Sequence, residues 1–268
     1  MIKKYKISVP KSTLNEIYKK VRNFPWSAAQ NMNGWEYGTN LNYLKNISKY
    51  WITKYNWKKF ENKINSFKNY KTKVEDINLH FIFEKSKNPN SKQLLLLHGW
   101  PGSITEFLDI IPRLAHPEKF GGKIEDGFDV IIPSLPGFGF SSQIKKALGP
   151  RKIGKILNKF MVKNLGYKNY YVQGGDWGAT IAGWIGLDSS KNCKGIHINC
   201  LPLRHPKGTK NIKEKKWEKK FNFDQIMQEG YRTQQATKPQ TLSYAMIDSP
   251  VGTAAWILEK FHGWSDLK

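Results

Sequence analysis

The sequence predicts an α/β fold, a mostly parallel sheet with helices on both faces, and three observations carry that expectation. Leu94-Leu95-Leu96-Leu97 is a continuous apolar run, as a strand buried on both faces requires. From about residue 71, strand patterns at 79–83, 94–97, 128–132, 170–172 and 195–198 alternate with helical patterns near 151–165 and 178–187. Gly174-Gly175-Asp176-Trp177-Gly178 lies between the strand at 170 and the helix at 178, a tight strand–turn–helix with small residues at both ends.

The flanks read differently. In residues 1–70, Thr13-Leu14-Asn15-Glu16 is a capping-box pattern that opens a helix carrying Leu14, Ile17, Tyr18 and Val21 on one face. Asn40 caps a second helix with Leu41, Leu44, Ile47, Trp51 and Tyr55 at helical spacing. Between them, Phe24-Pro25-Trp26 and Gly34-Trp35-Glu36-Tyr37-Gly38 form an aromatic loop whose simplest packing partner is the domain that follows. After about residue 201 comes Arg204-His205-Pro206 and a lysine-rich run to Lys220, read as a solvated loop or exposed helix face. Helical segments follow near 222–235, after Pro239, and after Pro250 with Val251, Ala254, Ala255, Leu258 and Phe261. The organisation expected is a meander at 1–70, the first part of an α/β core at 71–200 and a helical cap at 201–268.

Bulk composition narrows the function classes. With 39% hydrophobic and 13% aromatic residues, 268 residues bury a full core and leave aromatics to line a pocket. The net charge of +23 raises nucleic acid as a partner, but only five of the 44 basic residues are arginine and the lysines are spread along the chain. Readers of nucleic acid concentrate guanidinium forks, so that class is set aside. Cys193 and Cys200 have no zinc-site spacing and make no disulfide framework, which points to a reducing cytoplasm. The N-terminal stretch lacks the apolar run of a signal peptide, and no stretch of about 18 apolar residues occurs, so a soluble chain without a transmembrane helix is expected.

The chemistry is concentrated in two motifs. The Gly174–Gly178 turn projects its central side chain above the carboxyl end of the sheet, at a helix N-terminus that favours an anion. In esterases that central residue is serine; here it is Asp176. A carboxylate attacking a saturated carbon forms an ester that water can cleave at its carbonyl, whereas serine would form an inert ether. Asp176 therefore points to an epoxide or a haloalkane, the competing reading being a plain cap of the following helix. The second motif is His98-Gly99-Trp100-Pro101-Gly102-Ser103, whose glycine lets the backbone pass close to Asp176. The amides of Trp100 and Trp177 are placed to meet the oxygen of a tetrahedral intermediate. His98 is read as a brace for its loop. In Pro133-Ser134-Leu135-Pro136-Gly137-Phe138-Gly139-Phe140-Ser141, Phe138 and Phe140 can wall a pocket, and Trp177 can join them.

Together, 98–103, 129–142 and 174–178 resemble the epoxide hydrolases of the α/β-hydrolase superfamily. Gly34–Leu41, Thr237-Lys238-Pro239-Gln240-Thr241 and Asp248-Ser249-Pro250-Val251-Gly252 are similar to the meander and cap of the microsomal-type branch. The resemblance implies an α/β-hydrolase fold with a helical cap, no cofactor and no metal, acting on a small hydrophobic epoxide and water. It implies Asp176 as nucleophile and Trp100 and Trp177 as oxyanion-hole amides. Tyr231, in Gly230-Tyr231-Arg232, matches the first of two cap tyrosines that donate to the epoxide oxygen, with Tyr244 the nearby alternative. In that family the second tyrosine, the acidic triad member and the triad histidine lie further along than Lys268, so the C-terminal part of the core is expected to be missing and turnover doubtful. His262 and Asp266 sit at a helix end and are not assigned as replacements. A haloalkane dehalogenase and a non-catalytic ligand-binding hydrolase fold are the alternatives.

Overall fold

Side-chain alternation along the central strands sorts the apolar residues into two cores. Leu95 and Leu97 face one with Ile131, Leu79 and Phe81, while Leu96 faces the other with Val130, Ile132 and Ile82. This period of two, on strands apolar at every position, is what a sheet covered on both faces demands. The computed structural model describes residues 1–30, 32, 34–200, 208 and 211–267. The chain divides into two units, one of Met1–Ser8 with Lys58–Leu203 and one of Val9–Trp57 with Arg204–Lys268.

The first unit holds a seven-stranded sheet: β1 (Ile2–Lys4), β2 (Asn69–Val74), β3 (Ile77–Glu84), β4 (Lys92–Leu97), β5 (Phe128–Pro133), β6 (Tyr170–Gly174) and β7 (Cys193–Ile198), in the order β1-β2-β3-β5-β4-β6-β7. The pairings β1–β2, β2–β3 and β3–β5 are antiparallel, and β5–β4, β4–β6 and β6–β7 are parallel. The sheet is thus mixed rather than mostly parallel. β1 and β2 account for the difference: short and lysine-rich, they carry little apolar signal, and a two-residue turn at Glu75-Asp76 joins β2 to β3. Five expected strands appear as β3 to β7. α5 (Pro150–Lys159), running into a π-helical turn at Phe160–Asn164, and α6 (Trp177–Asp188) supply one core through Ile156, Leu157, Phe160, Ile181 and Ile185. Ile64 and Ile111, on short helices Trp57–Asn65 and Ile111–Ala115, serve the other.

The second unit is helical. The helix expected from a capping box at Thr13 begins earlier, at Lys11, with Pro10 as N-cap and no side-chain cap bond. Pro10 already has φ −58°, and its carbonyl accepts the first helical N–H from Leu14, so no side-chain cap is needed to start the turn. Asn40 does cap the next helix, Leu41–Thr53, accepting from Tyr43 N at 2.9 Å. The segment expected at 222–235 is two helices, Ile212–Gln228 and Gly230–Thr237, divided at Glu229-Gly230. Pro239 and Pro250 open Pro239–Asp248 and Pro250–Trp264 as expected, both at first-turn positions where a missing N–H costs nothing. The aromatic loop finds its partner in that last helix: Phe24, Trp26 and Trp51 pack around Val21, Leu44 and Val251 with Ala254, Ala255 and Leu258. Trp35 stacks on His262 at 3.8 Å, and Thr39 Oγ1 donates to the Ala255 carbonyl at 2.6 Å. The sequence reading looked to the following domain for this contact; the structure supplies it from helix 250–264. Of the lysine-rich run, 204–207 and 209–210 lie outside the described residues, and Lys213, Lys215, Lys216, Lys219 and Lys220 are exposed. No helix among the described residues is long and apolar enough to cross a membrane.

Candidate active site

β6 ends at Gly174 and α6 begins at Trp177, which leaves Asp176 at the apex of a very short turn with φ 49° and ψ −123°. A positive φ on a residue with a Cβ costs about 1–3 kcal/mol and persists only where the surroundings enforce it. Here the enforcement is close backbone approach. A Cβ on Gly178 would lie 2.1 Å from the Leu97 carbonyl oxygen, and one on Gly174 2.1 Å from the Gly178 carbonyl oxygen. Only hydrogen at both positions lets α6 settle against the end of β4.

The strained turn sets Asp176 apart from an ordinary helix cap. It occupies the N-cap position of α6 yet makes no side-chain cap bond. Its Oδ1 instead accepts the Trp100 N–H at 2.8 Å. Gly99 permits this, because a Cβ there would lie 2.1 Å from that same oxygen. The Trp100–Pro101 bond is cis. Trp177 follows at the first position of α6, where a backbone N–H has no acceptor within the helix. Asp176 and Trp177 are both exposed, so a ligand can reach them.

His98 has a different task. It is 1% exposed, and its Nε2 accepts the Leu135 N–H at 3.1 Å. The hydrogen is therefore on Nδ1, which donates to the Gly99 carbonyl at 3.1 Å. Burial lowers the His98 pKa, against the opposing pull of the Gly99 carbonyl and Asp176. A neutral ring thus ties β4 to the loop after β5. Phe138 packs edge-on against His98 at 5.3 Å. Phe140 lies beside Tyr5 and His80, at 6.4 and 5.3 Å. His80 is buried under this loop between Ser134 Oγ and Asn69 Oδ1, and burial, aided by Lys71, brings its pKa down to about 3.

One residue that the motifs did not single out joins this group. Glu106 follows the His98–Ser103 loop, and its side chain packs against Gly102, where a Cβ would lie 1.4 Å from Glu106 Oε1. The signal was present as Ser103-Ile104-Thr105-Glu106, a capping-box pattern whose serine accepts the Thr105 N–H at 3.2 Å.

Tyr231 belongs to the second unit, on helix 230–237. Its ring meets Trp264 edge-on at 5.1 Å, and Lys260 Nζ lies 4.9 Å from its centre. Lys260 is only 2% exposed; it donates to the carbonyl and Oε1 of Gln228, both at 3.3 Å, and pairs with Glu259. Tyr231, Gln234, Leu242, Trp256, Glu259 and Lys260 line a cavity of about 460 Å³. Tyr244 is 63% exposed and accepts from Gln240 Nε2 at 2.8 Å, so Tyr231 is the tyrosine of the pair that lines this cavity.

The chain is similar to known proteins over nearly its whole length. Residues 2–107 match the family model for the epoxide hydrolase N terminus, and 92–246 match that for the alpha/beta hydrolase fold. A relative from Stigmatella aurantiaca is 39% identical over 98% of this chain and 61% of its own length. Epoxide hydrolase 1 of Oryctolagus cuniculus is 35% identical over 99% of this chain and 63% of its own. The crystal structure of juvenile hormone epoxide hydrolase from the silkworm Bombyx mori superposes with a TM-score of 0.87 at 30% identity, covering 99% of this chain and 67% of that one. The chain thus spans 61–63% of the length of these two curated relatives. From the elbow, the paired loops and these matches, the chain belongs to the epoxide hydrolase family of the α/β-hydrolase fold.

Proposed function

We propose that this chain opens epoxides through a covalent ester on Asp176, the first half of hydrolysis to a vicinal diol. The observation that carries the reading is an Asp176 carboxylate spared from capping its own helix and held by one oxygen on the Trp100 amide. With Oδ1 so engaged, Oδ2 is the attacking atom. It bonds to a ring carbon as the ring C–O bond breaks, and the epoxide oxygen takes the proton of the Tyr231 hydroxyl. Oδ1 becomes the ester carbonyl oxygen. When water adds to Cγ, the charge that develops on Oδ1 is met by the Trp100 amide and by that of Trp177, worth several kcal/mol in such sites. Collapse releases the diol and restores the carboxylate.

Support for the substrate class is partly chemical and partly by family. An ester can be hydrolysed where the ether from a serine could not. The aromatic wall comprises Trp177, Phe138 and Phe140, and it favours a small hydrophobic epoxide. Phe140 contributes through the loop it shares with Phe138, since its own ring contacts are Tyr5 and His80. Tyr231 is assigned as proton donor from the Gly230-Tyr231-Arg232 match and from its place in a cavity of its own unit. A cytoplasmic setting is part of the same proposal.

Intact-mass measurement of the protein after incubation with styrene oxide tests this reading. A mass gain equal to one epoxide is expected, absent in Asp176→Asn and formed about 10- to 100-fold more slowly in Tyr231→Phe. A gain that persists in Asp176→Asn would remove Asp176 as the nucleophile. Halide release from a chloroalkane, without reaction with the epoxide, would move the chain to the dehalogenases.

A further inference from the structure

Lys260, in helix Pro250–Trp264, is only 2% exposed, and a lysine is almost never buried so fully unless it is paired. Its partners are at hand: Nζ donates to the carbonyl and Oε1 of Gln228, both at 3.3 Å, and pairs with Glu259. An ammonium has three donors, so these three acceptors leave no N–H for a ligand. What remains is the charge itself. Nζ lies 4.9 Å from the centre of the Tyr231 ring and 6.0 Å from that of Trp264, and the two rings meet edge-on at 5.1 Å. Both distances are within reach of cation–π attraction. Gln228 ends helix Ile212–Gln228, so a cap on its carbonyl explains that bond. It does not explain the burial, because an exposed lysine caps a helix end without losing its hydration. Tyr231, Glu259 and Lys260 all line the cavity of about 460 Å³.

We propose that Lys260 is a positioning residue for ring opening, its buried charge acting through the Tyr231 ring to stabilise the phenolate left when the hydroxyl proton passes to the epoxide oxygen. The inference rests on the reading of Tyr231 as the proton donor. As the ring C–O bond breaks, its electron pair stays on the oxygen, which takes the Tyr231 proton. The phenolate charge spreads into the ring beside Nζ. A cation there stabilises the phenolate more than the neutral phenol, so it favours the transfer rather than the ground state. Burial strengthens the effect, because little water screens the charge. The phenolate is restored by the proton released when water cleaves the ester. Helix Pro250–Trp264 brings two charged groups to the cavity, Lys260 and Glu259, whereas Met227 and Leu242 from the neighbouring helices are uncharged. Beside Tyr231 in the chain, Glu229 and Arg232 pair with each other at 3.2 Å. The Glu259 side chain is 27% exposed against 2% for Lys260, so water screens the acid more and the lysine sets the field at the ring.

The test follows the ¹³Cζ resonance of Tyr231, identified as the one lost in Tyr231→Phe, through alkaline pH in wild type, Lys260→Met, Lys260→Gln and Lys260→Arg. Methionine removes the charge and keeps the stem, glutamine removes the charge and keeps a donor for Gln228, and arginine keeps the charge. Both neutral variants are expected to form the phenolate about one pH unit higher, a roughly tenfold change, with Lys260→Arg near wild type. The same chains are then mixed with styrene oxide and followed by intact mass. Adduct formation is expected to slow about 3- to 10-fold in both neutral variants, and to slow no further when Lys260→Gln is added to Tyr231→Phe. Ionisation of Tyr231 at the same pH in wild type and both neutral variants, or a slowing that adds in full to that of Tyr231→Phe, would overturn the role of Lys260. Adduct formation at the wild-type rate in Tyr231→Phe would instead overturn the proton-donor reading, and this inference with it. Absence of an adduct in every chain would overturn the nucleophile reading, and the titration would still decide whether Lys260 acts on Tyr231.

Discussion

The elbow at Asp176 and the cavity at Tyr231 are built on opposite principles. Around Asp176 the determinants are backbone atoms: carbonyls of Leu97 and Gly178 that come within 2.1 Å of where a Cβ would be, and an amide that holds the carboxylate. Around Tyr231 they are side chains: the Trp264 edge, the Lys260 ammonium and the Trp256 wall. A site framed by backbone tolerates almost no change in residue size, because main chain cannot rotate aside. A site framed by side chains can re-pack, and its losses are graded.

This contrast makes unequal demands on mutants. Gly178→Ala is expected to cost about 3 kcal/mol or more, because its Cβ meets the carbonyls of Leu97 and His98 rather than a movable side chain. Urea unfolding measures this, and a loss under 1 kcal/mol would break the claim that backbone sets the elbow. The buried His80 beneath the Phe138 loop should make the first unit sensitive to acid. Its pKa is about 3 when folded against 6.5 ordinarily, so the unfolded state gains its proton first. Stability is fully present above pH 6.5 and falls as the pH drops toward 3, by about 1.4 kcal/mol per unit. Unfolding midpoints at pH 7 and 4.5, compared between wild type and His80→Asn, should show the variant losing less. Lys260→Met keeps the aliphatic stem but leaves the Gln228 groups and Glu259 without their partner. A loss of about 2 kcal/mol is expected in a thermal scan, and an unchanged midpoint would show that the tyrosine cavity does not depend on this lysine. The smallest effect has the opposite sign: Gly183, in α6 with nothing within 4 Å of a Cβ, should gain about 0.5–1 kcal/mol as alanine. The Gly178 and Gly183 pair therefore separates close approach from helix propensity within one helix.

Much of the site was legible because its signals are short in range. A pentapeptide of glycines around an acid, directly after a strand, encodes its own turn, and the His98–Ser103 loop does the same for the Trp100 amide. The Asn40 cap and the proline starts at 239 and 250 act within one helical turn and were read correctly. Thr13 shows the limit, since an equally good local pattern lost to Pro10, three residues ahead of it in the competition to start the helix. β2 escaped notice because alternating Tyr, Thr and Val with lysines is weakly apolar, although its pairing with β3 is unambiguous once the two meet.

By itself, then, the sequence determined the parallel strands with their two-sided burial, the elbow with Asp176 at its apex, and the amide loop that faces it. Each is dictated by steric and hydrogen-bond rules acting over a few residues. Only the tertiary structure decided that the aromatic loop at 24–38 packs with helix 250–264, and that Lys260 is buried beside Tyr231. Those pairs lie between 29 and more than 200 residues apart in the chain, and they are selected by which apolar faces and charges meet in space, a choice that no local pattern records.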